Sequence, residues 1–307
     1  MINLIDLSDA FLQVKENRGC AGVDGVTIEE FELDLKRNLA RLHQELKAKS
    51  YLPLPLLKIL VDKGDGTGTA RKLCIPAVRD RVAQTAVLHL IEPILEKEFE
   101  ECSFAFRKGR SVQKAIHKIQ EYYDRGFRWV VDADIDAFFD SVNHDQLMAK
   151  VGKYIKHKEI VRLINLWIKA EVWNGDSIEI INTGIPQGSP LSPILSNLFL
   201  DELDEAMLQN GQKFVRYADD FIILCKSPDK AKDALELTEE VLHSLSLKLD
   251  EADIVSFDHG FRYLGVTFVR SMSFSSSDKS TKEKKVLFYP PPLNLPAYFS
   301  QKKRRQR

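Results

Sequence analysis

The chain has 307 residues, 44% of them hydrophobic and 29% charged, with 44 Lys/Arg against 45 Asp/Glu. That composition excludes a disordered or fibrous chain and is enough for one large or two intimate cores. A net charge of −1 excludes a globally basic nucleic-acid binder. Local clusters such as the C-terminal "KKRRQR" would have to carry such contacts, and that cluster reads equally well as a solvated tail.

Cys20, Cys74, Cys102 and Cys225 are scattered without a CxxC pair or a Cys/His cluster at zinc spacing, the pattern of reduced thiols in a cytosolic protein. No apolar run approaches a membrane span. The N-terminal "MINLIDLSDAFLQVKENRG" is amphipathic and contains acids, unlike a signal peptide. The expected location is the cytoplasm, with no membrane partner.

In chain order, "GVDGVTIEEF" is a turn and a helix start, where Thr27 and Glu30 have capping-box spacing. Ile28, Phe31, Leu35, Leu39, Leu42 and Leu46 continue at helical spacing. "YLPLPLLKILVDKGDGTGTARKLCIP" reads as a strand, a Gly-rich hairpin around Gly64 to Gly68 and a second strand closed by Pro76, studded with Lys58, Lys63, Arg71 and Lys72. A helix is expected from Arg79 to about Leu90, interrupted or restarted at Pro93. "FAFRKGRS" is a basic loop whose Ser111 can cap the next helix, "VQKAIHKIQEYY".

"WVVDADIDAFFDSV" is a β-run that breaks into a turn or helix start, followed by a helical region, "DQLMAKVGKYIKHKEIVRLINLWIKA". "TGIPQGSPLSP" is a Gly- and Pro-dense loop opening a helix, with Pro193 near its first position. "FVRYADDFIIL" reads as strand, turn, strand, although "ADD" lacks the Asn-Gly or Asp-Gly signal of a tight hairpin. A helix over "DKAKDALELTEEVLHSLSLKL" and a strand over "FRYLGVTFVR" follow. After Arg270 the Ser-rich "SMSFSSSDKSTKEKK" reads as linker or disordered, and "YPPPLNLP" as an extended Pro-rich piece. Irregular alternation of strands and helices predicts an α+β fold.

Two acidic sites stand out. Asp219 and Asp220 sit side by side between apolar runs, which alone could be a solvated turn. Asp132, Asp134, Asp136 and Asp140 lie on or just after an apolar strand, and on a strand the first three share a face. Several carboxylates on one face of a core strand are costly unless a cation sits there, and a hard divalent ion such as Mg2+ takes oxygen ligands. Carboxylates from separate segments suit a two-metal centre with ions about 3.5–4 Å apart, and the chemistry of such a centre is nucleotidyl transfer.

The ordered blocks "DADIDAFFDSV", "TGIPQGSPLSPILSNLFL", "RYADDFIIL" and "FRYLGVTF" resemble the motifs of prokaryotic reverse transcriptases. "GCAGVDGVTIEEF" and "RKLCIPAVRDRVAQTAV" resemble the N-terminal and fingers blocks of the group II intron-like branch, and the likeness runs from about Arg18 to Arg270. Within the branch, "LDELDEAM", "RYADDFIILCKS" and "VSFDHGFRYLGVTFVRS" are most similar to CRISPR-associated reverse transcriptases, often fused or adjacent to Cas1.

The resemblance implies a right-hand polymerase with fingers and an antiparallel palm sheet flanked by helices. It sets N-terminal helices over 1–50, fingers over 51–130 and a palm over 131–270 with fingers–palm helices at 145–180. A Ser/Pro-rich linker and basic tail over 271–307 leave the thumb absent or truncated. It implies an RNA-directed DNA polymerase extending a DNA or RNA primer with dNTPs on an RNA template, using two Mg2+ ions, with Mn2+ as an alternative. Cas1 and Cas2 would be its partners in acquiring spacers from RNA. A group II intron-like retroelement, another defence-associated reverse transcriptase and a non-catalytic palm scaffold are the alternative settings.

Position by position, the resemblance makes Asp134 the first metal ligand with the Ile135 carbonyl beside it, and Asp219 and Asp220 the acids of the YxDD turn. Phe139 falls at the steric gate against a ribonucleotide 2′-OH, and is otherwise a core phenylalanine. Gln187 and Gly188 match the loop under the template and incoming base pair, and Lys63 and Arg71 the pair that grips the triphosphate. Tyr263, Leu264 and Gly265 match the strand supporting the primer end. The family's Lys-Thr before the last palm strand has no counterpart, since "LKLDEADIVSF" carries no lysine after Leu249.

Overall fold

The computed structural model describes residues 2–62, 70–275 and 286–305. The helices α1 (Leu4–Glu16), α2 (Ile28–Leu33) and α3 (Leu35–Lys47) precede the strands β1 (Leu56–Asp62) and β2 (Ala70–Ile75). There follow α4 (Val78–Leu95), α5 (Val112–Asp124), β3 (Trp129–Ile135), α6 (Phe138–Ser141), α7 (His144–Tyr154) and α8 (Lys158–Ile168). The middle of the chain adds β4 (Val172–Trp173), β5 (Ile178–Glu179), α9 (Ser192–Gln209), β6 (Lys213–Tyr217), β7 (Asp220–Cys225) and α10 (Pro228–Ser244). The remainder forms β8 (Leu249–Ser256), β9 (Phe261–Tyr263), β10 (Val266–Val269), β11 (Met272–Ser275), β12 (Val286–Phe288) and α11 (Leu295–Arg305). The fold is mixed α+β, and among the described residues the paired strands are antiparallel except for β1 with β4.

Two compact units share the chain. The first comprises Met1–Pro93, Ile155–Ser192 and Lys282–Arg307; the second comprises Ile94–Tyr154 and Pro193–Thr281. The first holds a sheet in which β1 pairs with β2, β4 and β12. Thr27 and Glu30 form the expected capping box at α2. The helical spacing is broken at Asp34, however, leaving two helices and an exposed Leu33. Buried Asp80 accepts from the Tyr51 hydroxyl at 2.7 Å and from the Leu54 amide at 2.9 Å, and Trp167 Nε1 donates to the same hydroxyl at 2.9 Å, tying α4, α8 and the segment before β1 together.

The stretch after Arg270 is more ordered than its composition suggests. Residues 276–285, most of the polar run, lie outside the described residues. The flanks form β11, β12 and α11, with β12 adding a strand to β1. Leu293 donates its amide to the Val23 carbonyl at 2.9 Å, and Leu293 and Leu295 pack against the cluster of Val23, Leu57 and Ile59. The apolar residues between the prolines decide the outcome, because each has a buried surface to meet. Pro93 lies inside α4, which runs on to Leu95, and the helical region expected from Asp145 consists of α7 and α8.

In the second unit the strands run in the order β6-β7-β3-β8. Helix α10 packs against β3, β7 and β8. Val130, Val215, Ile222 and Leu224 are buried with Ile119 of α5 and with Phe257 and Phe268. A small sheet of β9, β10 and β11 completes the unit. Ser111 caps α5 as its spacing predicts.

Candidate active site

β3 and β7 are antiparallel neighbours, with Asp132 opposite Ile222 and Ala133 opposite Phe221. That register ends at Ala133, and β3 is irregular between Ala133 and Ile135 where it meets β8; continued by one step it would carry Asp134 across from Asp220. Residues directly opposite in a sheet share a face, as Asp132 and Ile222 do, and both Asp132 and Asp134 are near enough to act on the Asp220 carboxyl. Further along the same face stand Val130, Ile222 and Leu224, all buried. One end of this face is a rigid apolar anchor and the other end is acidic. Asp253 of β8 lies opposite Asp132 and extends the acidic end.

β6 and β7 join through a tight hairpin despite the missing Asn-Gly signal. Tyr217 pairs with Asp220, leaving Ala218 and Asp219 as a two-residue turn. Ala218 has φ +64, the left-handed conformation that such turns demand and that alanine adopts at a cost of roughly 1–2 kcal/mol. The turn is recognisable from the register, whereas the residue types hide it.

The electrostatics fit this grouping. Burial, then Asp132, Asp134 and Asp219, push the Asp220 carboxyl up to about 7. Burial, then Asp253 and Asp134, push Asp132 up to about 6. Every contribution to these two shifts acts in the same direction, as expected for like charges gathered in a poorly solvated place. Asp134 is exposed at the strand end, its Oδ1 accepting from the Ile135 amide at 2.9 Å, and Ile135 is buried. Asp136 and Asp140 are exposed; Asp136 lies past the strand end, and its amide donates to the Lys248 carbonyl at 2.9 Å.

The chemistry of this donor set fits a hard divalent cation, because the acids of β3 and of the β6–β7 turn raise one another's protonation and such a cation takes oxygen ligands. Among the described residues no group of three or more His, Cys, Asp or Glu side chains is arranged to hold a metal ion; Asp134, Asp219 and Asp220 are the side chains that would supply oxygen ligands.

Phe139 is half-buried and stacks edge-on against Phe138 at 5.2 Å; Phe138 is buried and packs on Phe199 at 6.4 Å. The ring therefore has the firm backing that a steric gate needs. Tyr263 is buried and closes a second two-residue hairpin with Val266. Leu264 and Gly265, expected within a strand, form that turn with φ +51 and +76. The Tyr263 hydroxyl is engaged by backbone, lying 3.1 Å from the Asp220 carbonyl and 3.2 Å from that of Val215.

The remaining candidates belong to the first unit. Arg71 is exposed on β2, opposite Val61. The Gln187 carbonyl accepts from the Cys74 amide at 2.7 Å, docking the Pro-Gln-Gly loop onto the same strand. Gly188 has φ +115, and a Cβ there would stand 3.1 Å from the Cys74 carbonyl oxygen, so glycine is required by both conformation and space. Lys63 lies outside the described residues. Asp253 and Arg216 were not among the expected site residues; the only trace of Arg216 in the sequence is a cation at a strand position that the flanking apolar residues mark as buried.

Residues 61–268 match the family described as "Reverse transcriptase (RNA-dependent DNA polymerase)". The chain belongs to the reverse transcriptase family. Protein YkfC of Escherichia coli (strain K12) is 32% identical to this reverse transcriptase over 293 residues, covering 82% of this chain and 76% of YkfC. Group II intron-encoded protein LtrA of Lactococcus lactis subsp. cremoris is 32% identical over 207 residues, 67% of this chain and 34% of LtrA. Among solved structures, telomerase from Candida albicans is similar in fold, with a TM-score of 0.60 at 14% identity over 81% of this chain and 49% of that one. Of these, LtrA is a group II intron-encoded protein, in line with the branch that the motifs resemble, and the enzyme class of the family is RNA-directed DNA polymerase. Among the described residues no helix is long and apolar enough to cross a membrane.

Proposed function

We propose that this reverse transcriptase extends a primer 3′-OH with dNTPs on an RNA template through a two-ion centre held by Asp134, Asp219 and Asp220. The observation that carries the proposal is the proximity of the β3 acids to the acids of the β6–β7 turn, with Asp220 raised to about 7 by burial and then by Asp132, Asp134 and Asp219. When bound, Mg2+ ions supply charge neutralisation for the attacking hydroxyl and the departing pyrophosphate. The chain's own part is positioning: the sheet fixes Asp134, the hairpin fixes Asp219 and Asp220, and the Phe139 ring excludes a 2′-OH. Arg71 binds the triphosphate, and Gln187 with Gly188 supports the template base. The second unit is the palm and the first the fingers.

The biological setting we propose is acquisition of RNA-derived spacers in the cytoplasm with Cas1 and Cas2. Support comes from "LDELDEAM", "RYADDFIILCKS" and "VSFDHGFRYLGVTFVRS". A group II intron-like retroelement is the second reading, favoured by the identity to LtrA. Intact acids at 134, 219 and 220 speak against a non-catalytic scaffold.

The test is primer extension by the purified full chain on an RNA template with dNTPs and Mg2+, alongside Asp219→Asn. Extension by the unmodified chain and its loss in the variant are expected. No extension, or equal extension by both, refutes the polymerase reading. Co-purification with Cas1 and Cas2 supports the first setting, and a dependence on an intron RNA supports the second.

A further inference from the structure

Arg216 is wholly buried in β6 and uses all five of its N–H donors. Nε donates to Asp204 Oδ1 at 2.7 Å, and Nη2 donates to Asp204 Oδ2 and, at 3.0 Å, to Ser103 Oγ. Nη1 donates to Asn197 Oδ1 at 3.0 Å and to the Ala218 carbonyl at 2.9 Å. Asn197 is fixed in turn, its Nδ2 donating to the Ala105 carbonyl at 2.9 Å. A buried ion pair of this kind is a weak source of stability, because desolvation offsets most of the attraction. Its geometry is what distinguishes it. Four of its five bonds go to Asp204, Ser103 and Asn197, and the fifth reaches the left-handed residue of the acid-bearing turn.

The other side of the turn is held by Tyr263. Tyr263 is buried in the hydrophobic cluster, and its hydroxyl lies 3.1 Å from the Asp220 carbonyl. The carbonyls immediately before and after Asp219 along the turn, those of Ala218 and Asp220, are therefore tied to two buried side chains from different strands. We propose that Arg216 and Tyr263 are positioning residues that lock the Ala218–Asp220 turn, so that the Asp219 and Asp220 carboxylates are aimed at Asp134. The proposal rests on the reading of these acids as the cation-binding centre. The turn's strain persists because the surroundings over-determine it, and the clamp is that surrounding. Charged and buried donors make the arrangement stiff, which a cation site with oxygen ligands from two segments needs.

The experiment uses the full chain with Tyr263→Phe, Arg216→Lys and, as a stability-matched control elsewhere in the same unit, Leu147→Ala, whose side chain is buried in α7. Three quantities are read: thermal midpoint, amide exchange at Asp219 and Asp220, and Mn2+ affinity by paramagnetic resonance without nucleic acid. Tyr263→Phe is expected to keep its thermal midpoint close to that of the unmodified chain. Its turn amides should exchange faster, and its Mn2+ affinity should weaken about five-fold, the scale of one lost hydrogen bond. Arg216→Lys should weaken Mn2+ binding further. In primer extension, half-activation should move to higher Mg2+ while KM for dNTP stays unchanged. Leu147→Ala should lower the midpoint without touching exchange at the turn or Mn2+ affinity. Unchanged turn exchange in Tyr263→Phe, or an equal loss of Mn2+ affinity in Leu147→Ala, overturns the proposal. If the unmodified chain extends no primer while both clamp variants loosen the turn, the polymerase reading fails and the clamp stands.

Discussion

Asp220→Asn should stabilise the fold and disable the site at once. The wild-type carboxyl is pushed from 3.8 up to about 7 by burial and by Asp132, Asp134 and Asp219. A shift of roughly three units corresponds to about 4 kcal/mol as an upper figure for keeping that group ionised in the fold. Partial solvent access lowers the expected gain to about 2–4 kcal/mol at pH 8 in chelator. Because the folded-state value is the raised one, the fold holds a proton that the unfolded chain has released between about pH 4 and 7. Wild-type stability therefore falls as pH rises through that window and levels off above it. Near pH 5 the folded carboxyl is already protonated, and the advantage of asparagine should shrink to about 1 kcal/mol. Denaturant unfolding of both proteins in chelator at pH 5 and pH 8 measures this, with primer extension on the same preparations. An asparagine variant no more stable than wild type at pH 8, or one with the same advantage at both pH values, refutes the claim that burial and the neighbouring acids raise the Asp220 carboxyl.

Gly188→Ala should cost about 1–3 kcal/mol, from a left-handed backbone and a Cβ pressed to 3.1 Å of both the Cys74 carbonyl and Ile75 Cδ1; equal stability in denaturant titration would mean the loop does not dock closely on β2. Phe139→Ala should relax discrimination of dNTP over rNTP by about tenfold or more. Single-nucleotide incorporation rates report it, and an unchanged ratio removes the gate assignment.

Local features were legible where the chemistry is local. Thr27 and Glu30 announced a capping box, Ser111 a helix start and "WVVDADI" a strand, because caps and alternation are decided within a few residues. The blocks around Asp134 and Asp219 were legible as a family pattern through their order. Other features were not. Ala218 carries no turn signal, since its left-handed backbone is imposed by the pairing of Tyr217 with Asp220. Likewise, composition marked residues 286–305 as tail, although Leu293, Leu295 and β12 find partners more than two hundred residues upstream.

By itself the sequence determined which side chains exist to do the chemistry: acids at 134, 219 and 220, an aromatic at 139 and a glycine at 188. The tertiary structure decided which acids confront one another, because antiparallel pairing of β3 with β7 and β8 brings Asp132 opposite Asp253 and sets Asp132 and Asp134 close enough to act on Asp220. It also decided what holds them, since the five bonds of Arg216 and the hydroxyl of Tyr263 depend on burial among segments far apart in the chain. Pairing and desolvation are long-range quantities, and no spacing along the chain encodes them.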